Sequence, residues 1–276
     1  MSLLVYIASG ALALGAFVLM WRNVTKPWLA RWNAYVKQIS TCGYLAPPPS
    51  DKALRYLLRV ARAITFLQVG KLKVLGRENL DSVPGPFMFS ANHPAGADVM
   101  LIPCVLARKA RYMAHETVFT AGFGLGAHLV GPGGAFVAHD SIRDNGVRAR
   151  AASVKILTSG QILVLLPEGL TNYDPVMLPL KEGAVRIVKQ AAVELGKPTF
   201  IVPAYIRYGK YPGRWLQRFP RALQYLLVLL LWPIYRRGAK VVIGKPISST
   251  ELSADDTVAT ALLRSRIEQL DPKSVN

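Results

Sequence analysis

Phe87-Met88-Phe89-Ser90-Ala91-Asn92-His93-Pro94-Ala95-Gly96-Ala97-Asp98 is the stretch whose reading sets the fold class. It starts as a short β-rich run and, beyond Asp98, continues into a helical one. Between them Pro94 and Gly96 resist a continuous helix through His93 and suit a turn. The same alternation recurs on both sides. Further strands are expected at Leu72 to Leu75, Arg111 to Ala114, Ala135 to Val137, Ile162 to Leu166, Thr199 to Ile206 and Lys240 to Ile243. Helices are expected at Asp98 to Ala110, Val147 to Thr158, Glu182 to Leu195 and Asp256 to Leu270. Strands alternating with helices predict an α/β fold with a mixed, largely parallel central sheet flanked by helices.

The chain has 276 residues, 51% of them hydrophobic, enough to bury a core in one large domain or two small ones. With 34 Lys and Arg against 16 Asp and Glu, its formal charge is +18. Such a balance seeks an anionic partner: nucleic acid, lipid headgroups or a polyphosphate cofactor. Mean hydropathy of +0.26, with basic residues scattered among apolar runs instead of gathered in a polar arm, favours a membrane surface over nucleic acid. Cys42 and Cys104 are the two cysteines, far apart and with no His or Cys at metal-ligand spacing, and read as reduced thiols.

From Leu3 to Trp21 the chain is uncharged, long enough at about 1.5 Å per residue to cross about 30 Å of hydrocarbon. Arg22, Lys26, Arg31 and Lys37 follow this run and no Lys or Arg precedes it, which predicts an N-terminal transmembrane helix with the remainder in the cytoplasm. A cleaved signal peptide is the rival reading, but it carries its positive charge before a shorter apolar core. The expected organisation is an anchor over 1–22, a juxtamembrane segment over 23–50 ending in the stiff Pro47-Pro48-Pro49, and a main domain over 51–276. A second apolar run, Leu223 to Tyr235, is too short to span and is flanked by Arg218, Arg221, Arg236 and Arg237. It reads either as a helix lying in a membrane interface or as an ordinary core helix.

His93 and Asp98 stand five apart, which on a regular helix would separate them by about 140°. A turn must bring them together. An imidazole with a carboxylate on one nitrogen is held in one tautomer and accepts a proton better at the other, so the pair can deprotonate a hydroxyl. The plainer alternative is that Asp98 caps the following helix and His93 fills a turn. Leu165-Leu166-Pro167-Glu168-Gly169 closes another apolar strand and brings a carboxylate to the sheet edge, where it either faces a ligand or is a solvated turn glutamate. Gly133-Gly134-Ala135-Phe136-Val137 and Ile201-Val202-Pro203-Ala204 enter or occupy strands and mean little in isolation. His115 and His128 form no metal-site spacing with His93 and His139, so no metal is expected. Gly122-Phe123-Gly124-Leu125-Gly126 lacks a following Lys-Ser or Lys-Thr and reads as close helix packing. No Gly-x-Ser-x-Gly nucleophile elbow occurs.

Taken together and in this order, these segments resemble the PlsC-like glycerolipid acyltransferase family. Its His-x4-Asp motif matches His93 and Asp98; its second motif corresponds to Gly134 through His139 and includes Phe136. Its third, commonly Phe-Pro-Glu-Gly-Thr-Arg, corresponds to Leu166 through Thr171, and a Val-Pro-x-x-Ile block matches Val202, Pro203 and Ile206. The resemblance implies that residues 51–276 are an acyltransferase domain on the cytoplasmic side of a membrane. It implies His93 as general base on an acceptor hydroxyl, oriented by Asp98, and attack on an acyl-CoA or acyl-carrier-protein thioester without an acyl-enzyme or a cofactor. Gly134, Phe136, His139, Arg143, Glu168, Gly169 and Pro203 are the acceptor-binding positions this implies. The acceptor it implies is a membrane lysophospholipid, first 1-acyl-sn-glycerol-3-phosphate giving phosphatidate. Glycerol-3-phosphate, another lysophospholipid, and a non-catalytic lipid-binding role are the alternatives. Two positions depart from the pattern. His139 stands where the second motif usually has Arg, with Arg143 four residues on, and Leu170-Thr171 replaces Thr-Arg. Neither His nor Thr reproduces the forked guanidinium that grips a phosphate monoester. Arg143, Lys181 and Arg207 are the nominated substitutes.

Overall fold

Phe87–Ala91 and Ile162–Leu165 are apolar nearly throughout, and this places them in the middle of the sheet, where both faces are covered. All five residues of the first are buried, as are the last three of the second. The structure, a computed structural model, describes residues 18–120, 122–138, 146–211 and 213–272. In chain order the elements are α1 (Lys26–Ile39), α2 (Asp51–Gln68), β1 (Leu72–Leu75), α3 (Glu78–Asp81), β2 (Phe87–Ala91), α4 (Asp98–Leu106) and β3 (Ala110–Ala114). There follow α5 (Glu116–Thr120), α6 (Leu125–Val130), β4 (Ala135–Val137), α7 (Val147–Thr158), β5 (Ile162–Leu165), α8 (Gly183–Leu195) and β6 (Phe200–Tyr208). The chain closes with α9 (Arg221–Leu230), α10 (Trp232–Tyr235), β7 (Ala239–Ile243), β8 (Ile247–Ser248) and α11 (Asp256–Glu268).

These strands form one sheet in the order β1-β7-β6-β2-β5-β3-β4, with β8 also pairing β6. The run from β6 to β4 is parallel, β7 and β8 are antiparallel to β6, and β1 is parallel to β7. The expected mixed, largely parallel sheet is what the chain forms. Pro203 sits inside it without breaking it. Its carbonyl accepts the Gly244 N–H at 2.8 Å, so its missing N–H falls on the same side, at the gap where β7 gives way to β8 and no partner strand asks for a donor.

One face of the sheet carries Met88, Leu163, Leu165 and Ile201 against α7, α8 and α11. The helix α8 fits because Ala184, Val185, Ile187, Val188 and Ala191 share one side of it. The other face carries Phe89, Val164, Val202, Ala204 and Ile206 against Leu101, Ile102 and Val105 of α4, with α2 packed outside α4. A smaller cluster of Ile39, Phe119, Ala127 and Val137 holds α1, α5 and α6 to the β4 edge. There Gly126 permits the close packing its sequence suggests, since a Cβ would lie 1.8 Å from the Val118 carbonyl oxygen.

The expected strands match to within two residues at either end. The helix expected from Asp98 to Ala110 instead stops at Leu106: Ala107 is left-handed (φ 50°), and Ala110 already pairs in β3. Leu223 to Tyr235 is not one helix but two, α9 and α10, broken at Leu231 ahead of Pro233. Helices α1 and α2 and strand β8 add to the expected set. The predicted transmembrane run, Leu3 to Trp21, lies outside the described residues apart from 18–21, which lead through the π-type turn Trp21–Thr25 into α1. Among the described residues no helix is long and apolar enough to cross a membrane.

Candidate active site

The site begins where β2 leaves the sheet. After Ala91 the Asn92 side chain takes over the ladder. Its Nδ2 donates to the Ile206 carbonyl at 3.0 Å, and its Oδ1 accepts the Ile206 N–H at 2.6 Å. An amide that copies a peptide group in this way lets the backbone turn out at His93 while β6 stays paired. The His93 backbone is then held on both sides. Its N–H donates to Glu168 Oε1 at 2.7 Å, and its carbonyl accepts the Asn172 N–H at 3.0 Å.

Asp98 is fully buried and hydrogen-bonded on both oxygens. Oδ2 accepts from the Ala95 N–H at 3.0 Å and lies 2.8 Å from His93 Nδ1, while Oδ1 accepts from the Tyr208 hydroxyl at 2.5 Å. The carboxylate does not cap α4: the N-cap is Ala97, without a side-chain bond, and Asp98 folds back over the turn to reach the imidazole. With Asp98 accepting at Nδ1, the ring carries its proton there and exposes a lone pair at Nε2. The Thr171 hydroxyl, 3.0 Å away, occupies that lone pair. Hydroxyl, imidazole and carboxylate thus stand in the order that lets an alcohol lose its proton to the ring.

Glu168 does not face outward. It is 4% exposed, and its second oxygen accepts the Leu178 N–H at 2.7 Å, so both oxygens serve backbone donors. Burial raises its pKa above the usual carboxylate value, with the two backbone N–H groups pulling the other way. Glu168 is therefore the crosspiece that ties the His93 turn to the segment at 177–178. That segment is held from behind by Arg264, which donates to the Leu178 carbonyl at 2.9 Å and the Met177 carbonyl at 3.3 Å. Gly169 has a positive φ (71°), and a Cβ there would come within 2.8 Å of Lys181 Nζ, so the turn needs glycine and seats the lysine against it. Over the top, Gln217 Nε2 donates to the carbonyls of Thr171 and Asn172, both at 3.1 Å.

His93, Asp98, Glu168 and Gly169 thus come together at the C-terminal edge of the sheet, where open α/β folds place ligands. Among the described residues, the other expected binding positions do not join them. Gly134 precedes β4 at the opposite edge, where a Cβ would lie 2.4 Å from the Ala110 carbonyl oxygen at the start of β3. Phe136 is 1% exposed and belongs to the core. Pro203 packs on Gly244 inside the sheet. His139 and Arg143 lie outside the described residues. Of the nominated cations, Lys181 lies beside the site, whereas Arg207 projects from the strand face opposite Tyr208 and pairs with Asp271 at 2.6 Å. His128 stacks on Trp32 of α1, centroids 3.7 Å apart, and His115 Nδ1 accepts the Thr117 N–H at the start of α5; both are structural. Sequence reasoning missed Tyr208, two residues past the Val-Pro-x-x-Ile block. It also missed that Thr171, a departure from the motif, touches His93 Nε2.

A family model described as Acyltransferase matches residues 71–207, which include each of the residues just placed around His93 up to Arg207 and stop one short of Tyr208. A search of curated proteins gives no match. Among solved structures, the chain is similar to the 1-acyl-sn-glycerophosphate (LPA) acyltransferase PlsC from Thermotoga maritima, with a TM-score of 0.56 and 19% identity. The match covers 81% of this chain and 80% of that one. At that identity the likeness is one of fold.

Proposed function

We propose that this chain is an acyltransferase that transfers a fatty acyl group from a thioester to the free hydroxyl of a lysophospholipid, a reading supported by the Acyltransferase family model matching residues 71–207 and by the likeness of its fold to that of PlsC. The observation that carries this reading is the His93–Asp98 contact of 2.8 Å with Nε2 already paired to a hydroxyl, that of Thr171. In the proposed reaction the acceptor hydroxyl takes the place of the Thr171 hydroxyl and gives its proton to Nε2. The oxygen then attacks the thioester carbonyl. As the carbonyl re-forms, the C–S bond breaks, and the thiolate recovers the proton from the imidazolium that Asp98 stabilises.

The acceptor proposed first is 1-acyl-sn-glycerol-3-phosphate, giving phosphatidate, with acyl-CoA or acyl-carrier protein as donor. A net charge of +18 suits an anionic donor and an anionic lipid surface. Thr171 favours a second acceptor class, another lysophospholipid, because a threonine in place of a forked guanidinium gives up bidentate grip on a phosphate monoester. The proposed location is a membrane, entered by the apolar run from Leu3 to Trp21, with the acyltransferase domain on the cytoplasmic side. The test is a panel of lysophospholipids and glycerol-3-phosphate, assayed by thiol release and by mass of the product, for wild type and His93→Ala. His93→Ala should cut turnover at least ~10²-fold on the accepted substrate. Turnover within threefold of wild type would remove His93 from the mechanism.

A further inference from the structure

Next to the site the fold leaves an apolar surface without a partner. The side chains of Leu223, Leu226 and Leu230 on α9 are 37%, 50% and 65% exposed, and their spacing of three and four puts them on one stripe; Ile234 on α10, just beyond the break, is 48% exposed. Phe66 and Leu67, at the end of α2, are 61% and 51% exposed beside them, with Arg236 lying over the Phe66 ring at 4.8 Å. A run of neighbouring exposed apolar side chains of this kind marks an interaction surface.

Charge identifies the occupant. Between positions 209 and 240 the chain has seven Lys or Arg and no Asp or Glu. Arg218, Arg236 and Arg237, all exposed, bracket the two helices at either end. Apolar side chains along one stripe with cations at its ends is the pattern of a helix lying in a lipid interface, its leucines among the acyl chains and its arginines at anionic headgroups. At about 1.5 Å per residue α9 is about 15 Å long, half the hydrocarbon thickness, so it lies along the surface instead of crossing. The root of this element grips the site. Gln217 holds the carbonyls of Thr171 and Asn172, and Gln224 of α9 accepts from the Tyr173 hydroxyl at 3.3 Å.

We infer that α9 and α10 dock on the surface of an anionic bilayer, separately from the N-terminal run, and so hold the mouth of the His93 site against the lipid phase. This rests on the proposed lipid acceptor for its purpose, but its test does not use turnover.

An environment-sensitive fluorophore is attached at Leu230→Cys in the full chain with Cys42→Ala and Cys104→Ala, reconstituted in phosphatidylcholine vesicles with or without phosphatidylglycerol. Val193→Cys on α8, native exposure 81%, is the control. The probe at 230 should shift to the blue and be quenched by lipid-borne nitroxide at least about twofold more than by aqueous iodide, more strongly with phosphatidylglycerol present; the probe at 193 should show the reverse. Amide exchange over 223–234 in the unaltered chain gives a second measure and should slow when phosphatidylglycerol is added. A probe at 230 as open to iodide as that at 193, or one shielded from both quenchers by a second copy of the chain, would overturn the inference. So would exchange that ignores the lipid. An inactive His93→Ala protein should still dock, which separates this outcome from that of the acyl-transfer assay.

Discussion

The Tyr208 hydroxyl donates to Asp98 Oδ1 at 2.5 Å, a contact between the last residue of β6 and the first of α4 that closes over a carboxylate with no exposed surface. Asp98 therefore has two fixed donors, Tyr208 and the Ala95 N–H, before it meets His93. Its orientation does not depend on the imidazole. The tyrosine also takes a share of the carboxylate's charge. Tyr208→Phe should keep the fold and lower turnover about 10-fold, the range for losing an outer partner that orients a site group. The loss should fall on kcat with little change in KM, as for a group that orients the site and does not bind substrate. A tyrosine that only filled space would leave kcat where it was.

The same hydroxyl ties stability to alkali. Burial first, then the charge of Asp98 and the bond to it, raise the Tyr208 pKa well above its ordinary 10.0. As pH rises through about 10 an unfolded chain releases this proton while the folded one keeps it, so stability present below that pH is lost above it. Tyr208→Phe should flatten the fall in urea midpoint between pH 9 and 11. An unchanged slope would show that other groups dominate the alkaline limb.

Thr171 holds the nitrogen that the mechanism assigns to the acceptor. If the acceptor hydroxyl replaces it, removing that one neutral hydrogen bond, worth ~1 kcal/mol, should be nearly neutral for catalysis. Thr171→Val is expected to keep turnover within about fivefold and to leave or lower the acceptor KM. A loss as deep as that of His93→Ala, read in the same steady-state assay, would mean that the threonine hydroxyl reacts or binds in its own right.

Glu168 anchors two backbone N–H groups with two oxygens, and an amide cannot do both. In Glu168→Gln the NH2 must point at one of those donors. The expected cost is ~2 kcal/mol of stability, seen as a lower urea midpoint, along with reduced turnover as the His93 turn loosens. Equal stability of the two proteins would show that these two bonds do not hold the turn.

How much of this could be read beforehand follows from how far apart the interacting residues lie. The strand over Phe87 to Ala91 and the turn through Pro94 and Gly96 are local, and five residues suffice to put Asp98 on His93 Nδ1. The mixed sheet was readable for the same reason, since apolar runs of strand length alternate with helical ones. By contrast, the surroundings of Glu168 and Pro203 are not legible along the chain, because one depends on N–H groups at 93 and 178 and the other on a gap between β7 and β8. Phe136, expected at the acceptor, is drawn into the core because β4 is covered on both faces.

What the amino-acid order alone determined is the α/β alternation and the nearness of His93 to Asp98, for both arise from spacing along the backbone. What only tertiary structure decided is the surrounding shell: Tyr208 on Asp98, Thr171 on Nε2, Glu168 beneath the turn and the leucine stripe beside it. The physical reason is that side chains 75 to 110 positions apart meet only after parallel pairing has stacked the ends of β2, β5 and β6 at one edge of the sheet.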